Sequence, residues 1–518
     1  MIYLDNSATT KPCKEAVEAM TDALTVHWGN PSGLYGFGIE TAAMLRSARH
    51  KVAAAMGAEP DRVFFTSVGT EADNWAIFGT IKRYGRRKKH IITTAIEHHA
   101  VLRCMNELEH QGYEITYLQP DALGNISLDS LKAALRSDTA LVSIMMVNNE
   151  TGAVMPIQQM AKLTHKLSPD AIFHTDAVQG FLKIPFTAKT LGADLISVSS
   201  HKVHGPKGAG ALYISPRLKS FPPLLHGGGQ ENGFRSGTEG TPAIFGFAAA
   251  CEACKATMTT DIAREKELLD GLVEKLCKLN GIKINGAHQA PHILSLSIPG
   301  LPTQNSLNLL QDAGICVSAG SACAKGHRSH VLEAMGSSPQ TIDGAFRVSI
   351  CRDTTGEELE KLAQAGGIAA LENKVVSHLS SGNYYLAFGM FLDTAAGIVA
   401  KPLSAPGASN PAYNDDFVYL GFDDVPTAAE RWKRVGIFAV IGIIAGFVTT
   451  FIMTRGMKTA RAQKHAADYV RPGSFHLTRQ QDLYLYRTRT RVRIQSNNTS
   501  SGGGRSGGGS RGGGGGKF

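Results

Sequence analysis

ADLISVSSHKVHGPKGAGALYIS, residues 193–215, holds two short apolar runs, DLISVSS and GALYIS, on either side of a glycine-rich turn that carries His201 and Lys202. Runs of this length, rich in Ile, Val and Leu, fit buried strands better than core helices. Working outward, the same kind of run recurs at VFFT (63–66), HIITTA (90–95), ALVSIMMV (140–147) and AIFHTDA (171–177), with amphipathic stretches between them. Such alternation predicts an α/β domain built on a mostly parallel sheet. Sites in these sheets lie beyond the carboxyl ends of the strands, where loops meet helix N-termini. The polar residues that follow each run are therefore the ones to read for chemistry.

The 518 residues are 43% hydrophobic and 19% charged, which excludes wholesale disorder and a many-span membrane protein. The formal charge of +9 is not spread evenly: residues 1–375 carry 36 Lys+Arg against 36 Asp+Glu, and residues 376–518 carry 17 against 8. Basicity belongs to the tail, so nucleic acid is not expected as a partner of the folded part. All eight cysteines fall in the neutral part, which opens MIYLDNSATT without a basic or apolar leader. A cytoplasmic catalytic part with free thiols is expected. Cys251 and Cys254 form a C-x-x-C, but in a helical Ala/Glu/Lys context without a second pair, so they read as packing thiols.

The chain divides by composition. Residues 15–255 form the large α/β domain, and residues 1–14 with 256–375 form a smaller α+β domain. Residues 376–434 are a linker with a partial helical segment. VGIFAVIGIIAGFVTTFIMT (435–454) is twenty residues without a charge, about 30 Å as a helix, and is expected to cross a bilayer. Residues 455–518 are a basic and then Gly-rich tail, expected to be disordered.

Five places carry candidate chemistry. Lys202 follows a strand, where desolvation leaves an amine neutral enough to attack an aldehyde; lysines beside Gly/Pro loops are more often surface charges. Asp176, after the strand AIFHTDA, suits a heterocyclic nitrogen or a helix cap, and Gln179 reaches the same ring's oxygen. Gly69 and Thr70 open a helix after VFFT, a place for a phosphate or for an ordinary N-cap. His98, after HIITTA, can stack on a ring and move protons. The pairs His98/His99 and His201/His204 find no third or fourth metal ligand at a recognisable spacing, so no metal is expected. Cys323, in SAGSACAKGHRSH beside Lys325, His327 and Arg328, sits where nearby cations favour thiolate.

IYLDNSATT, GNPSGLYGFG, TSVGTEADNWAI, IEHHAVL, VNNETGAV, HTDAVQG, SSHKVHGPKG, RSGT, SAGSACAKG and FRVSICRDTT stand in the order and spacing of the cysteine desulfurases. Over residues 1–372 the chain resembles that family, the pyridoxal-phosphate enzymes of aminotransferase class V, fold type I. The resemblance implies L-cysteine as substrate, L-alanine as product and a persulfide on Cys323. That sulfur would pass to an acceptor protein of iron–sulfur cluster assembly or tRNA thiolation. Lys202 would hold the cofactor as a Schiff base, with His98 on the ring, Asp176 at its nitrogen and Gln179 at its oxygen. Thr70, with Gly69, Ser199 and His201, would bind the phosphate, joined by Thr238 from the partner subunit of a homodimer. Asn149 and Arg352 would grip the substrate carboxylate; the family commonly has Gly at the place of Cys351. Other class V enzymes, aminotransferases or selenocysteine lyases, share the cofactor residues, but transamination needs no thiol at Cys323.

The tail resembles the C-terminal part of bacterial TPM-domain membrane proteins, as if one gene had been joined to another. A membrane-tethered, non-catalytic fusion is the reading from a different class, and intact Lys202, Asp176, His98 and Cys323 argue against it. Charge around 435–454 would place the C-terminus in the cytoplasm, against an enzyme that has no leader. The enzyme is expected in the cytoplasm.

Overall fold

The computed structural model describes residues 1–84, 87–279, 281–320 and 328–367. The whole tail, including the stretch 435–454, lies outside them, as does Cys323. Among the described residues no helix is long and apolar enough to cross a membrane.

Seven strands form the main sheet, in the order Val63–Thr66, Gly210–Ile214, Leu195–Ser199, Ile172–Asp176, Thr139–Ser143, His90–Thr94 and Glu114–Leu118. Only Gly210–Ile214 runs against its neighbours. The expected mostly parallel sheet is thus present. Six of its strands are buried at every position, which is why they read as continuous apolar runs and not as alternating ones. Glu114–Leu118 lies at the edge and is mostly half-exposed, so its Glu, Thr and Tyr carry no such signal.

Helices cover both faces. One core contains Val52, Met56, Phe173, Ile196 and Phe247, and the opposite one Trp75, Ile91, Met105 and Leu141. Each large apolar side chain removed from water contributes about 1.5–3 kcal/mol. The helix Gly36–Met56 ends at Gly57, whose φ of +60 admits the turn and whose missing side chain leaves room for Thr187.

A second, antiparallel sheet joins Ala345–Ser349, Ile293–Ser297 and Lys283–Asn285. Its core, with Leu4, Leu294, Phe346 and Val348, is separate from the other two. The helix Thr241–Cys277 spans both regions. Its first turns bury Ile244, Phe245 and Phe247 in the main core, and its last turns bury Leu269, Leu272 and Leu276 in the smaller one. The change of composition near residue 256 marks where this helix leaves one core for the other. Cys251 and Cys254 pack within it as buried thiols.

Candidate active site

Five of the six parallel strands, all but the edge strand Glu114–Leu118, deliver polar residues at their carboxyl ends, and these converge on one cavity of about 300 Å³. Val63–Thr66 leads through Ser67 and Val68 into the helix Gly69–Tyr84, so that Gly69 and Thr70 present the helix N-terminus to the cavity. His90–Thr94 leads to His98, Thr139–Ser143 to Asn149, Ile172–Asp176 to Asp176 and Gln179, and Leu195–Ser199 to Ser199, His201 and Lys202. The N-terminal segment adds Ser7 and Ala8, and the smaller sheet adds Arg347.

Lys202 Nζ donates to the carbonyls of Ser7 at 2.6 Å and Ala8 at 2.7 Å. Burial, reinforced by the charges of Arg347 and Lys183, pulls its pKa down to about 7. Its amine is therefore neutral in a large fraction of molecules near neutral pH. Asp176 accepts from the Val178 N–H at 2.9 Å. Burial, with the charge of Asp73 beside it, pushes its carboxyl up to about 7. A cation placed against Asp176 would reverse that shift.

His98 caps the helix His99–His110, its Nδ1 accepting from the Ala100 N–H at 3.2 Å. That bond leaves any proton of the neutral ring on Nε2. Burial and the neighbouring Lys202 hold its pKa near 4, and the same two causes act on His201, also near 4. Gln179 Nε2 donates to Ser7 O at 2.9 Å, while its Oε1 accepts from Lys183 Nζ at 3.4 Å.

The Ser199 hydroxyl is buried without a hydrogen-bond partner. It lies beside Gly69, where an added Cβ would stand 3.3 Å from the Ser199 Cβ. An unpartnered donor next to a helix N-terminus is what an anion would complete.

Arg347 corrects one sequence expectation. Arg352 does not line the cavity: its environment is set by Cys254, Asp353 and Cys13. Arg347, five residues earlier, does line it and is 2% exposed. Its Nη1 donates to Asn149 O at 2.7 Å and its Nη2 to Asp5 Oδ1 at 2.8 Å, while its Nε is buried without a partner. Strand periodicity was the available signal, since Phe346 and Val348 face the smaller core and Arg347 faces the other way. Asp73, buried behind the cavity with burial raising its carboxyl to about 7, was also missed.

Thr238 is exposed and does not line the cavity of its own chain. One trio among the described residues, His204, Cys351 and Asp353, brings donor atoms within 4.8 Å of one another. It lies off the cavity, and the His204 Nδ1 is engaged with Lys11 O at 3.0 Å.

The residues fit pyridoxal phosphate. A buried amine suits an aldehyde, a buried carboxyl a protonated ring nitrogen, and a helix N-terminus with an unpartnered hydroxyl a phosphate.

Comparison with known proteins agrees. The family model for aminotransferase class-V matches residues 2–362. A cysteine desulfurase of Trichormus azollae is 43% identical over 369 residues, covering 70% of this chain and 91% of that one. The cysteine desulfurase IscS of Methanosarcina thermophila is 42% identical, covering 70% and 90%. Among solved structures, a NifS-like protein superposes with a TM-score of 0.67 at 37% identity, over 71% of this chain and 98% of that one. SspA in complex with cysteine gives 0.61 at 32% identity, over 68% and 100%. With its sheet order, its cavity and these relatives in agreement, the chain belongs to the class-V aminotransferase family and, within it, to the pyridoxal-phosphate-dependent cysteine desulfurases.

Proposed function

We propose that this cavity strips sulfur from L-cysteine by a division of labour among the residues described. The observation that carries the reading is the convergence, in one cavity, of the Lys202 amine, the Asp176 carboxyl, the unpartnered Ser199 hydroxyl and the unpartnered Arg347 Nε. Bound pyridoxal phosphate supplies an electron sink that stabilises negative charge on the substrate's Cα. Asp176 would keep the ring nitrogen protonated. Ser199, Thr70, His201 and the Gly69 N–H would hold the phosphate. Arg347 Nε, with Asn149 beside it, would take the substrate carboxylate and so orient the substrate's Cα. Lys202 and His98 Nε2 are the groups in the cavity able to move the Cα proton. Cys323 as thiolate takes the sulfur: an S–S bond forms, the substrate Cβ–S bond breaks, and the electron pair left behind is protonated to give L-alanine.

Purified protein should be yellow and should release alanine with one sulfur per turnover. Cys323→Ser should keep the colour and lose sulfide release. Full sulfide release from that variant refutes the role of the thiol and favours another class V reaction.

Delivery of the sulfur to an iron–sulfur or tRNA-thiolation acceptor, a cytoplasmic location and a homodimer sharing Thr238 belong to the same proposal. Support for the dimer comes from Trp28, Leu34, Tyr35 and Ile39, apolar side chains 55–95% exposed within twelve residues of a single chain. Light scattering on the intact protein tests it. The apolar stretch 435–454 and the resemblance of the tail to TPM-domain proteins rest on sequence alone. Fractionation of cells into soluble and membrane parts tests the anchor.

A further inference from the structure

The chain winds tightly after Asp176. The Phe181 N–H donates to Ala177 O at 2.7 Å, and the N–H groups of Lys183 and Ile184 both donate to Gly180 O, at 3.1 and 2.8 Å. Inside this turn Leu182 stands at φ +58, a left-handed conformation that a bulky side chain rarely adopts. Phe181 and Leu182 are both buried in the main core, which holds the strained residue where it is. Strain of this kind persists only where the surroundings impose it, and it concentrates at functional sites. What the turn delivers is Lys183.

Lys183 Nζ donates to Gln179 Oε1 at 3.4 Å. At the other end of the same amide, Gln179 Nε2 donates to Ser7 O at 2.9 Å, the carbonyl that also accepts from Lys202 Nζ at 2.6 Å. An ammonium only donates and a carbonyl only accepts, so these two partners leave the amide a single orientation. The amide nitrogen has two hydrogens, and the bond to Ser7 uses one of them. Gln179 lines the cavity, so the second hydrogen is what it can offer a ligand there. Burial opposes the Lys183 ammonium, and Glu265, buried on the helix Thr241–Cys277, favours it.

We propose that Lys183 is a positioning residue for the cofactor's ring oxygen: by holding the Gln179 amide oxygen, it fixes the amide so that Gln179 meets that ring oxygen as a donor. This rests on the reading of Gln179 as the ring-oxygen contact. A ring oxygen bearing negative charge is stabilised by an N–H and repelled by an amide oxygen, so the orientation of one amide decides between attraction and repulsion. Lys183 does not itself line the cavity, and its effect on the cofactor passes through Gln179.

The full chain, freed of cofactor, is titrated with pyridoxal phosphate by equilibrium dialysis as unmodified protein, Lys183→Met, Lys183→Arg, Gln179→Leu and the double variant Lys183→Met/Gln179→Leu. The thermal midpoint of each apoprotein is recorded beside it, to separate a folding defect from a lost orientation. Lys183→Met and Gln179→Leu should each weaken cofactor binding about three- to tenfold. The double variant should bind about as well as Gln179→Leu alone, because the lysine then has no amide left to orient. Lys183→Arg, which keeps the charge and the donor, should recover most of the affinity. Unchanged affinity in Lys183→Met overturns the proposal. So does a double variant in which the two losses multiply, or an Arg variant no better than Met. Should Lys183→Met fail to fold because Glu265 loses its counter-charge, Lys183→Met/Glu265→Gln removes both charges and is held to the same outcomes. If Gln179→Leu binds cofactor as tightly as unmodified protein, it is the reading of Gln179 that falls, and the positioning role with it.

Discussion

Arg347 reaches from the smaller sheet to the carbonyl of Asn149 at 2.7 Å, joining the two layers of the protein across the cavity. The contact uses Nη1, the bond to Asp5 uses Nη2, and Nε remains for a ligand. Hydrogen bonds between charged partners contribute about 1.5–3 kcal/mol, so Arg347→Lys should raise the KM for L-cysteine about ten- to a hundredfold. Arg352→Ala, off the cavity, should change it less than about twofold. Steady-state kinetics on the two variants decide between the arginines, and the reverse order would restore Arg352 to the substrate site.

Lys202 must be neutral to attack an aldehyde. With burial holding its pKa near 7, the neutral fraction in apoprotein rises about tenfold per pH unit below that value and levels off above it. The rate at which apoprotein recovers absorbance on adding pyridoxal phosphate should follow that curve. A rate still climbing steeply above about pH 9, as for an ordinary lysine, would show that the amine is not desolvated in this way.

Ser199 presents a buried hydroxyl with no partner, which costs the empty protein about 1–3 kcal/mol. Ser199→Ala should therefore leave the thermal midpoint of apoprotein unchanged or slightly higher, while weakening cofactor binding about tenfold through loss of a donor to phosphate. Calorimetry and equilibrium dialysis measure the two effects. Weaker apoprotein with unchanged cofactor affinity would remove Ser199 from the phosphate site.

Gly69 leaves no room for a side chain: an added Cβ would stand 2.8 Å from Val178 Cγ2. Gly69→Ala should destabilise by about 1–3 kcal/mol and push Ser199 and the helix N-terminus apart, lowering cofactor affinity as well. Denaturant melts and cofactor titration of the same variant check both parts.

The described cavity is lined by residues between Ser7 and Arg347, and the family match stops at residue 362. A chain ending at residue 375 should bind cofactor and turn over L-cysteine within about twofold of the full protein, since the reacting groups stay in place. A large loss on truncation would give the tail a catalytic part.

Much of this was legible in the sequence because parallel strands buried on both faces leave unbroken apolar runs, and the cavity residues follow those runs directly. His98, Asp176, Ser199 and Lys202 were found that way, and the structure brings them together. What stayed hidden had mixed composition. Glu114–Leu118 is a half-exposed edge strand, so neither an apolar run nor strict alternation marks it. The helix Thr241–Cys277 changes from small apolar residues to charged ones as it passes between cores, so the boundary read near residue 256 falls inside one continuous helix. Arg347 and Arg352 sit in one motif, and only the alternation of the strand Ala345–Ser349 distinguishes them. The hydrogen bond from Ser329 to Glu150 joins residues 179 positions apart and has no local signature.

The most direct test is to load the protein with pyridoxal phosphate, give it L-cysteine for a single turnover, and weigh the peptide that contains Cys323. The account predicts the mass of one added sulfur on that peptide, removable by a thiol reductant and absent when Lys202 is replaced by Ala. A peptide of unchanged mass, while alanine and sulfide are still formed, would contradict it.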